Sequence, residues 1–204
     1  VIWWSWRHLV VDFPGVVQYL DGSAMGKRMS RLTPRLINFI KNQRLFFVAT
    51  AMQDGHINLS PKGLDSFKVI NENRVIWLNL TGSGNETATH LLYNERMTLM
   101  FCAFEGPPMI LRLYGSAKVY HQYDDLWEEN IGFFPEIAGA RQLIDMQVEL
   151  VQVSCGFGVP LMDYKQQRKE LAAWAEERGE EGLKEYREKK NTISLDGHTT
   201  NVIK

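Results

Sequence analysis

The sequence predicts a mainly β fold with flanking helices: a small antiparallel barrel of six or seven strands, followed by a helical C-terminal tail. Three observations carry this. Short runs rich in β-branched and aromatic residues recur from Leu45 to Ser154, separated by clusters of Gly, Pro, Asn and Asp. Asp54-Gly55 stands between two of those runs and is a strong hairpin signal. The regular alternation of strand and helix that a doubly wound sheet needs is missing.

Taken in order, Thr33 before Pro34 is a cap followed by a first-turn proline, and Leu36, Ile37, Phe39 and Ile40 recur at helical spacing, so a helix is expected over 34–43. Leu45 to Met52 is a strand that turns at Asp54-Gly55 and returns from His56 to Ser60. Asn71-Glu72-Asn73 is a turn ahead of a strand from Val75 to Leu80. Gly82-Ser83-Gly84-Asn85 breaks that strand, and Glu86 to Tyr93 fits a short helix. Met97 to Phe104 and Ile110 to Tyr120 are strands on either side of the turn Glu105-Gly106-Pro107-Pro108. Asp124 to Phe134 reads as helix. Gln142 to Ser154 reads as a strand whose apolar phase slips between Leu150 and Val151, the mark of a bulge. From Lys165 to Lys190 two apolar stripes (Leu171, Trp174 and Ala175, then Leu183 and Tyr186) predict two short helices jointed at Gly179 and Gly182. The charge runs Glu176-Glu177-Arg178 and Arg187-Glu188-Lys189-Lys190 are expected on solvated faces.

A chain of 204 residues, 45% hydrophobic and 23% charged, is long enough for one sizeable core. The organisation read from it is an N-terminal arm over 1–25, a barrel over 26–160 and a helical extension over 161–204. Lys plus Arg number 23 and Asp plus Glu 24, a net charge of -1, which argues against nucleic acid as a partner. No apolar stretch is long enough to span a bilayer. Cys102 and Cys155 are too few for a disulfide scaffold and are read as reduced thiols of a cytoplasmic chain. His56, His90, His121 and His198 show no metal-ligand spacing, and no metal is expected. In the arm, Arg7, His8 and Asp12 interrupt the apolar residues, so it does not read as a signal peptide. Gly22-Ser23-Ala24-Met25-Gly26 resembles a cloning scar. Two readings of the arm stand open: a tag-derived leader before a start at Met25 or Met29, or a natural arm that packs Trp3, Trp4 and Trp6 on the body or on a partner chain.

Two stretches carry chemistry. In Leu78-Asn79-Leu80-Thr81-Gly82-Ser83-Gly84-Asn85-Glu86-Thr87, a strand runs through a Gly-rich turn into a helix N-terminus. Glycines admit a ligand close to the backbone, and the first-turn N–H groups and the helix dipole favour an anion. A phosphate cradle and a plain turn capped by Asn85 or Ser83 both fit. In Asn58-Leu59-Ser60-Pro61-Lys62-Gly63-Leu64-Asp65, Lys62 at a strand end is either a surface lysine or a cation aimed at an anionic ligand. Ser154-Cys155-Gly156-Phe157-Gly158 lacks the Gly-x-Ser-x-Gly pattern of a nucleophile turn. Trp77 and Phe101 are expected to fill the barrel, and Trp174 to anchor the tail helix or to cover the site.

From about residue 33 to 155 the chain resembles the pyridoxamine 5'-phosphate oxidase-like family of FMN-binding split barrels. The resemblance rests on Lys62-Gly63-Leu64-Asp65, on Val75 to Thr81 leading into the turn, on Asn94-Glu95-Arg96-Met97-Thr98-Leu99-Met100-Phe101, and on Leu111-Arg112-Leu113-Tyr114-Gly115, in the family's order and near its spacing. The turn is closest to a branch that reads Thr-Gly-Ser-Gly-Asn-Glu-Thr. The resemblance implies a split barrel, a homodimer with FMN at its interface, a small-molecule substrate or reductant, and an FMN-dependent oxidoreductase without an assigned catalytic side chain. The cofactor-binding residues it implies are Ser60, Lys62, Asn79, Leu80, Thr81, Ser83, Gly84, Asn85, Glu86, Thr87 and Arg112, with Arg141 as an added source of charge.

The departures are specific. Asn85, Glu86 and Thr87 stand where pyridoxamine phosphate oxidases have Ser-Arg-Lys, so the two cations that grip the phosphate there are missing. Ile110 replaces a flavin-contacting Gln, and Asn191 to His198 replaces a C-terminal substrate motif. These argue against a vitamin B6 oxidase. They leave open a flavin-binding or sensing protein without turnover, and a deazaflavin or haem binder on the same barrel.

Overall fold

The structure, a computed structural model, describes residues 26–203. The arm expected over 1–25 lies outside them. The elements in chain order are β1 (Arg28–Met29), α1 (Pro34–Lys41), β2 (Phe46–Thr50), β3 (Asn58–Lys62), β4 (Phe67–Asn71), β5 (Arg74–Leu80), α2 (Glu86–Tyr93), β6 (Arg96–Cys102), β7 (Ile110–His121), α3 (Asp125–Ile131), β8 (Ala140–Ser154) and α4 (Glu170–Lys190). The eight strands form one sheet in the order β3-β2-β6-β7-β8-β5-β4, with β1 added on β8, and every pairing is antiparallel. This is the mainly β, split-barrel architecture with a helical C-terminal tail that the sequence predicts. β1 and β4 are the strands it does not predict. β1 has only two residues. β4 lies in Phe67-Lys68-Val69-Ile70-Asn71, where the adjacent Val69 and Ile70 break the apolar–polar alternation.

No hydrogen-bonded pairing joins β3 to β4 among the described residues. Aromatic rings close that seam instead: Phe46 lies 4.8 Å from Phe67, and Phe67 meets Phe101 edge-on at 5.2 Å. Val48, Val75, Trp77, Leu99, Phe101, Leu111, Leu113 and Ile144 fill the interior. A second cluster packs α3, through Trp127, with Phe134 just beyond it, against Ile76, Leu78 and Leu143. β5 is therefore covered on both faces, which is why Val75-Ile76-Trp77-Leu78 reads as a continuous apolar run.

Local chemistry sets the boundaries. The Thr33 hydroxyl accepts the Leu36 N–H at 3.4 Å and Pro34 opens α1. Asp54-Gly55 does not make a tight hairpin. The link runs from Ala51 to Ile57, and the Asp196 carboxylate from the C-terminal segment accepts the His56 N–H at 2.9 Å, fixing the wider loop. α3 stops at Ile131, short of Phe134, with Gly132 as its cap. The bulge in β8 lies one residue before the predicted phase slip: Tyr114 faces Leu150 and Gly115 faces Val148, leaving Glu149 extra. Gly115 is required there, because a Cβ would sit 1.9 Å from the Gln147 carbonyl oxygen. The expected joint in the tail is at Gly179, whose φ of 62° interrupts α4. Arg187 corrects the sequence reading. Its charge run is not all solvated, since Arg187 itself is buried.

Candidate anion-binding site

The Gly-rich turn joins the end of β5 to the start of α2, and the strand beside it is irregular in a useful way. The β5–β8 register passes from Asn79 opposite Gln142 to Leu80 opposite Ala140, so Arg141 is an extra residue. A bulge re-aims the side chain it carries. Here it delivers a buried guanidinium to the turn, where Nη1 and Nη2 each donate to the Gly84 carbonyl at 3.2 Å and Nη1 donates to Asn191 Oδ1 at 2.7 Å. Arg187 approaches from α4. Its Nε donates to Thr81 Oγ1 at 2.9 Å and its Nη2 to the Ala140 carbonyl at 3.0 Å. Lys62, at the end of β3, sets its Nζ 5.4 Å from the centre of the Trp77 ring.

These cations repel one another in a poorly solvated place. Burial, and then Arg187, push the Arg141 guanidinium down to about 9. Burial, and then Arg141, push Lys62 down to about 8. Burial also lowers Arg187, partly opposed by Glu180. Among the described residues, none of the three has a carboxylate within ion-pairing distance. Buried positive charge is costly without a partner. The site is therefore electrostatically suited to an anion.

The neutral groups are unsatisfied in the same way. Asn85 is the N-cap residue of α2, yet its side chain makes no capping bond, and both its Oδ1 and Nδ2 are buried without a partner among the described residues. Ser60 Oγ, Trp77 Nε1 and Arg141 Nε share that condition. β3 is inverted relative to an ordinary half-buried strand: Leu59 is 65% exposed, while Asn58, Ser60 and Lys62 share the less exposed face. Orphaned buried polar atoms are rare in native proteins. Together with the cations they fit a phosphate-bearing group.

The other predicted residues are placed as follows. Thr81 is buried and held by Arg187, and its Oγ1 also donates to the Gly139 carbonyl at 2.9 Å. Thr87 Oγ1 accepts from Asn58 Nδ2 at 2.9 Å, and Asn79 Nδ2 donates to Gln142 Oε1 at 3.0 Å. Ser83 and Gly84 are exposed, and Leu80 packs on the second apolar cluster. The Glu86 carboxylate accepts the Leu195 N–H at 3.0 Å. Arg112 is not brought to this group: it faces Gln152 while the far end of β7 faces Gln142, and its Nη1 donates to Ser154 Oγ at 3.2 Å. Sequence reasoning missed Arg187 and Asn191. Arg187 follows Leu183 by four residues, a helical spacing that puts it on the same face as that apolar residue. Asn191 lies in the segment the sequence left without a role.

No cluster of metal-ligating side chains occurs among the described residues. The arrangement is chemically able to bind and orient an anion. A separate cavity of about 380 Å³ lies beyond Gly63, between the end of α1 and the β3–β4 link, lined by Arg44, Phe46, Phe67, Lys68, Phe101 and Phe133.

Comparison with known proteins adds a lineage. The family model described as pyridoxamine 5'-phosphate oxidase matches residues 32–155. The chain is 39% identical over 187 residues to a pyridoxamine 5'-phosphate oxidase family protein, ustO, of Aspergillus flavus, covering 81% of this chain and 74% of that one. Among solved structures, HupZ of group A Streptococcus aligns at 21% identity over 58% of this chain and 91% of that one, with a TM-score of 0.47. HutZ, a haem storage protein from Vibrio cholerae, aligns at 19% identity over 60% and 95%, with a TM-score of 0.45.

Proposed function

The chain belongs to the pyridoxamine 5'-phosphate oxidase family, and from that premise we propose that it is an FMN-binding oxidoreductase, with the cofactor phosphate held at the turn between β5 and α2. One observation carries the reading. Arg141, a buried cation without a carboxylate partner among the described residues, grips the Gly84 carbonyl beside a helix start whose Asn85 side chain is buried and unpaired, and Lys62, likewise without a carboxylate partner, lies within its electrostatic reach. In this reading Lys62 and Arg141 supply charge. Ser83, Asn85 and Thr87 supply neutral donors, and the backbone N–H groups of the turn and of the first turn of α2 complete the grip.

FMN would supply the electron or hydride chemistry. The protein's part is to hold the phosphate and to orient the rest of the cofactor along the polar face of β3. Glu86 takes no part in holding a dianion, because its carboxylate is committed to the Leu195 N–H. The absence of cations at positions 86 and 87 separates the phosphate grip from that of a vitamin B6 oxidase, and the replacement of the C-terminal substrate motif by Asn191 to His198 favours a different small-molecule substrate. The cofactor is proposed to lie at a homodimer interface, as the resemblance implies.

The absorbance spectrum of the purified chain, followed by FMN titration of the stripped chain, tests the reading. Flavin bands, or quenching of FMN fluorescence at stoichiometric protein, are expected. A Soret band, or a colourless chain that leaves FMN fluorescence unchanged, overturns it. Bleaching by NADH or NADPH with reoxidation in air separates an oxidoreductase from a flavin sensor.

A further inference from the structure

The segment after α4 is tied to the turn by side chains that serve little else. Asn191 is fully buried. Its Oδ1 takes a guanidinium N–H of Arg141 at 2.7 Å, its Nδ2 donates to the Gly82 carbonyl at 3.0 Å, and its own carbonyl accepts from Thr200 Oγ1. Arg187 fixes Thr81 at the other side of the turn. Farther along, Leu195 N–H reaches the Glu86 carboxylate, and Asp196 accepts from the His56 N–H and ring Nδ1. Apart from the Thr200 bond, which is internal to the segment, these contacts land on the turn, on Arg141 behind it, on the start of α2, or on the loop before β3.

Docking this segment also brings a second guanidinium, that of Arg187, into range of Arg141. Two buried cations within electrostatic range of one another oppose docking, and an anion bound at the turn relieves that opposition. We infer that the segment from Arg187 to Thr200 is a strap whose docking is coupled to anion binding at the turn, with Arg187 and Asn191 as positioning residues. The inference rests on the anion-site reading above. By linkage, an anion that prefers the docked strap tightens it by the same factor by which the docked strap improves anion binding.

Hydrogen–deuterium exchange of the full chain tests the coupling, with FMN or inorganic phosphate as probe and sodium chloride at matched ionic strength as control. FMN quenching is measured on the same samples. At a probe concentration one hundred times its dissociation constant, exchange of the amides from Thr192 to Gly197 is expected to slow, by up to about 100-fold. Arg187→Ala should abolish the slowing and weaken the probe, and Arg187→Lys should restore part of both, because it returns the charge without the two-point grip on Thr81 and Ala140. If Arg187→Ala does not fold, the probe dependence of the unsubstituted chain decides by itself. Strap exchange unchanged while FMN quenching is normal overturns the coupling and spares the anion site. Absence of both quenching and protection overturns the anion site and the coupling with it.

Discussion

Arg141→Leu is the sharpest single test of the site, because its effects on stability and on anion binding come from different contacts. In the free chain the substitution removes three guanidinium hydrogen bonds, two to the Gly84 carbonyl and one to Asn191 Oδ1. Asn191 is fully buried, so its oxygen loses its donor at a cost of about 1–3 kcal/mol. Against this, the substitution removes a cation that Lys62 and Arg187 repel. The net loss of stability is therefore expected to stay at or below about 2 kcal/mol in urea denaturation without anion. Binding has no such compensation. The substitution removes a nearby charge and the grip on Gly84 that aims the Asn85 N–H; with the loss set at about that of one hydrogen bond to a charged group, about 1.5–3 kcal/mol, FMN affinity should fall roughly 10- to 150-fold. Arg141→Lys should fall between, since it keeps the charge but loses the planar fork. FMN fluorescence quenching measures affinity directly. An Arg141→Leu chain that folds and binds FMN within twofold of the unsubstituted chain would refute the assignment of Arg141 to the anion.

Four further outcomes follow from the same geometry. Lys62 should lose its proton as pH rises through about 8, so FMN affinity should fall there. In the anion-free chain, stability should rise between about pH 8 and 10.5, because the unfolded lysine still holds the proton the folded one has released. The part due to Lys62 is up to about 3 kcal/mol, and Lys62→Met should remove the rise that begins near pH 8, leaving only what Arg141 contributes above about pH 9. In the free chain a Cβ at Gly84 meets nothing nearer than Glu86 Oε1 at 3.9 Å, so Gly84→Ala should leave stability within about 0.5 kcal/mol and still weaken FMN more than Ser83→Ala, which removes one neutral bond worth about 0.5–1.5 kcal/mol. Equal affinity for Gly84→Ala and the unsubstituted chain would make the turn a plain helix start. Gly115→Ala should cost about 3 kcal/mol or more in a thermal melt, since its Cβ meets fixed backbone at the bulge. Sedimentation should show a homodimer at micromolar concentration, of the class that buries well over about 1,600 Å², and a monomer would overturn the proposed interface.

Six of the eight described strands and α2 were legible in the sequence because their signals are local. Glu86–Tyr93 begins and ends where the sequence places it, and Gly179 breaks α4 as its composition suggests. What failed was decided by residues far away in the chain. Asp54-Gly55 prefers a tight turn, but Asp196 binds the loop from 140 residues away and its width follows that contact. Arg187 sits in a run of charges and reads as solvated, yet the helix that carries it buries Leu183 and turns Arg187 toward Thr81. The bulge at Arg141 was invisible because Ala140-Arg141-Gln142 has no repeating phase for an extra residue to disturb.

The same residues explain how a turn that lacks cations on its own helix remains suited to an anion. Glu86 at the start of α2 favours the helix dipole but carries the wrong sign for a phosphate, and the Leu195 N–H draws its carboxylate aside. Positive charge comes instead from behind the backbone. Arg141 grips the Gly84 carbonyl and Asn191 grips that of Gly82. A trans peptide unit is planar, with its C=O and N–H on opposite sides. Pinning those two carbonyls toward Arg141 and Asn191 therefore turns the N–H groups of Asn85 and Ser83 the other way, out from the buried side of the turn. Arg141 acts twice in this arrangement: its charge lowers the energy of an anion nearby, and its grip on Gly84 fixes the direction of a backbone donor. Lysine at position 141 supplies the first action without the two-nitrogen grip, and leucine supplies neither. For that reason the order of FMN affinity, arginine above lysine above leucine, separates the two contributions.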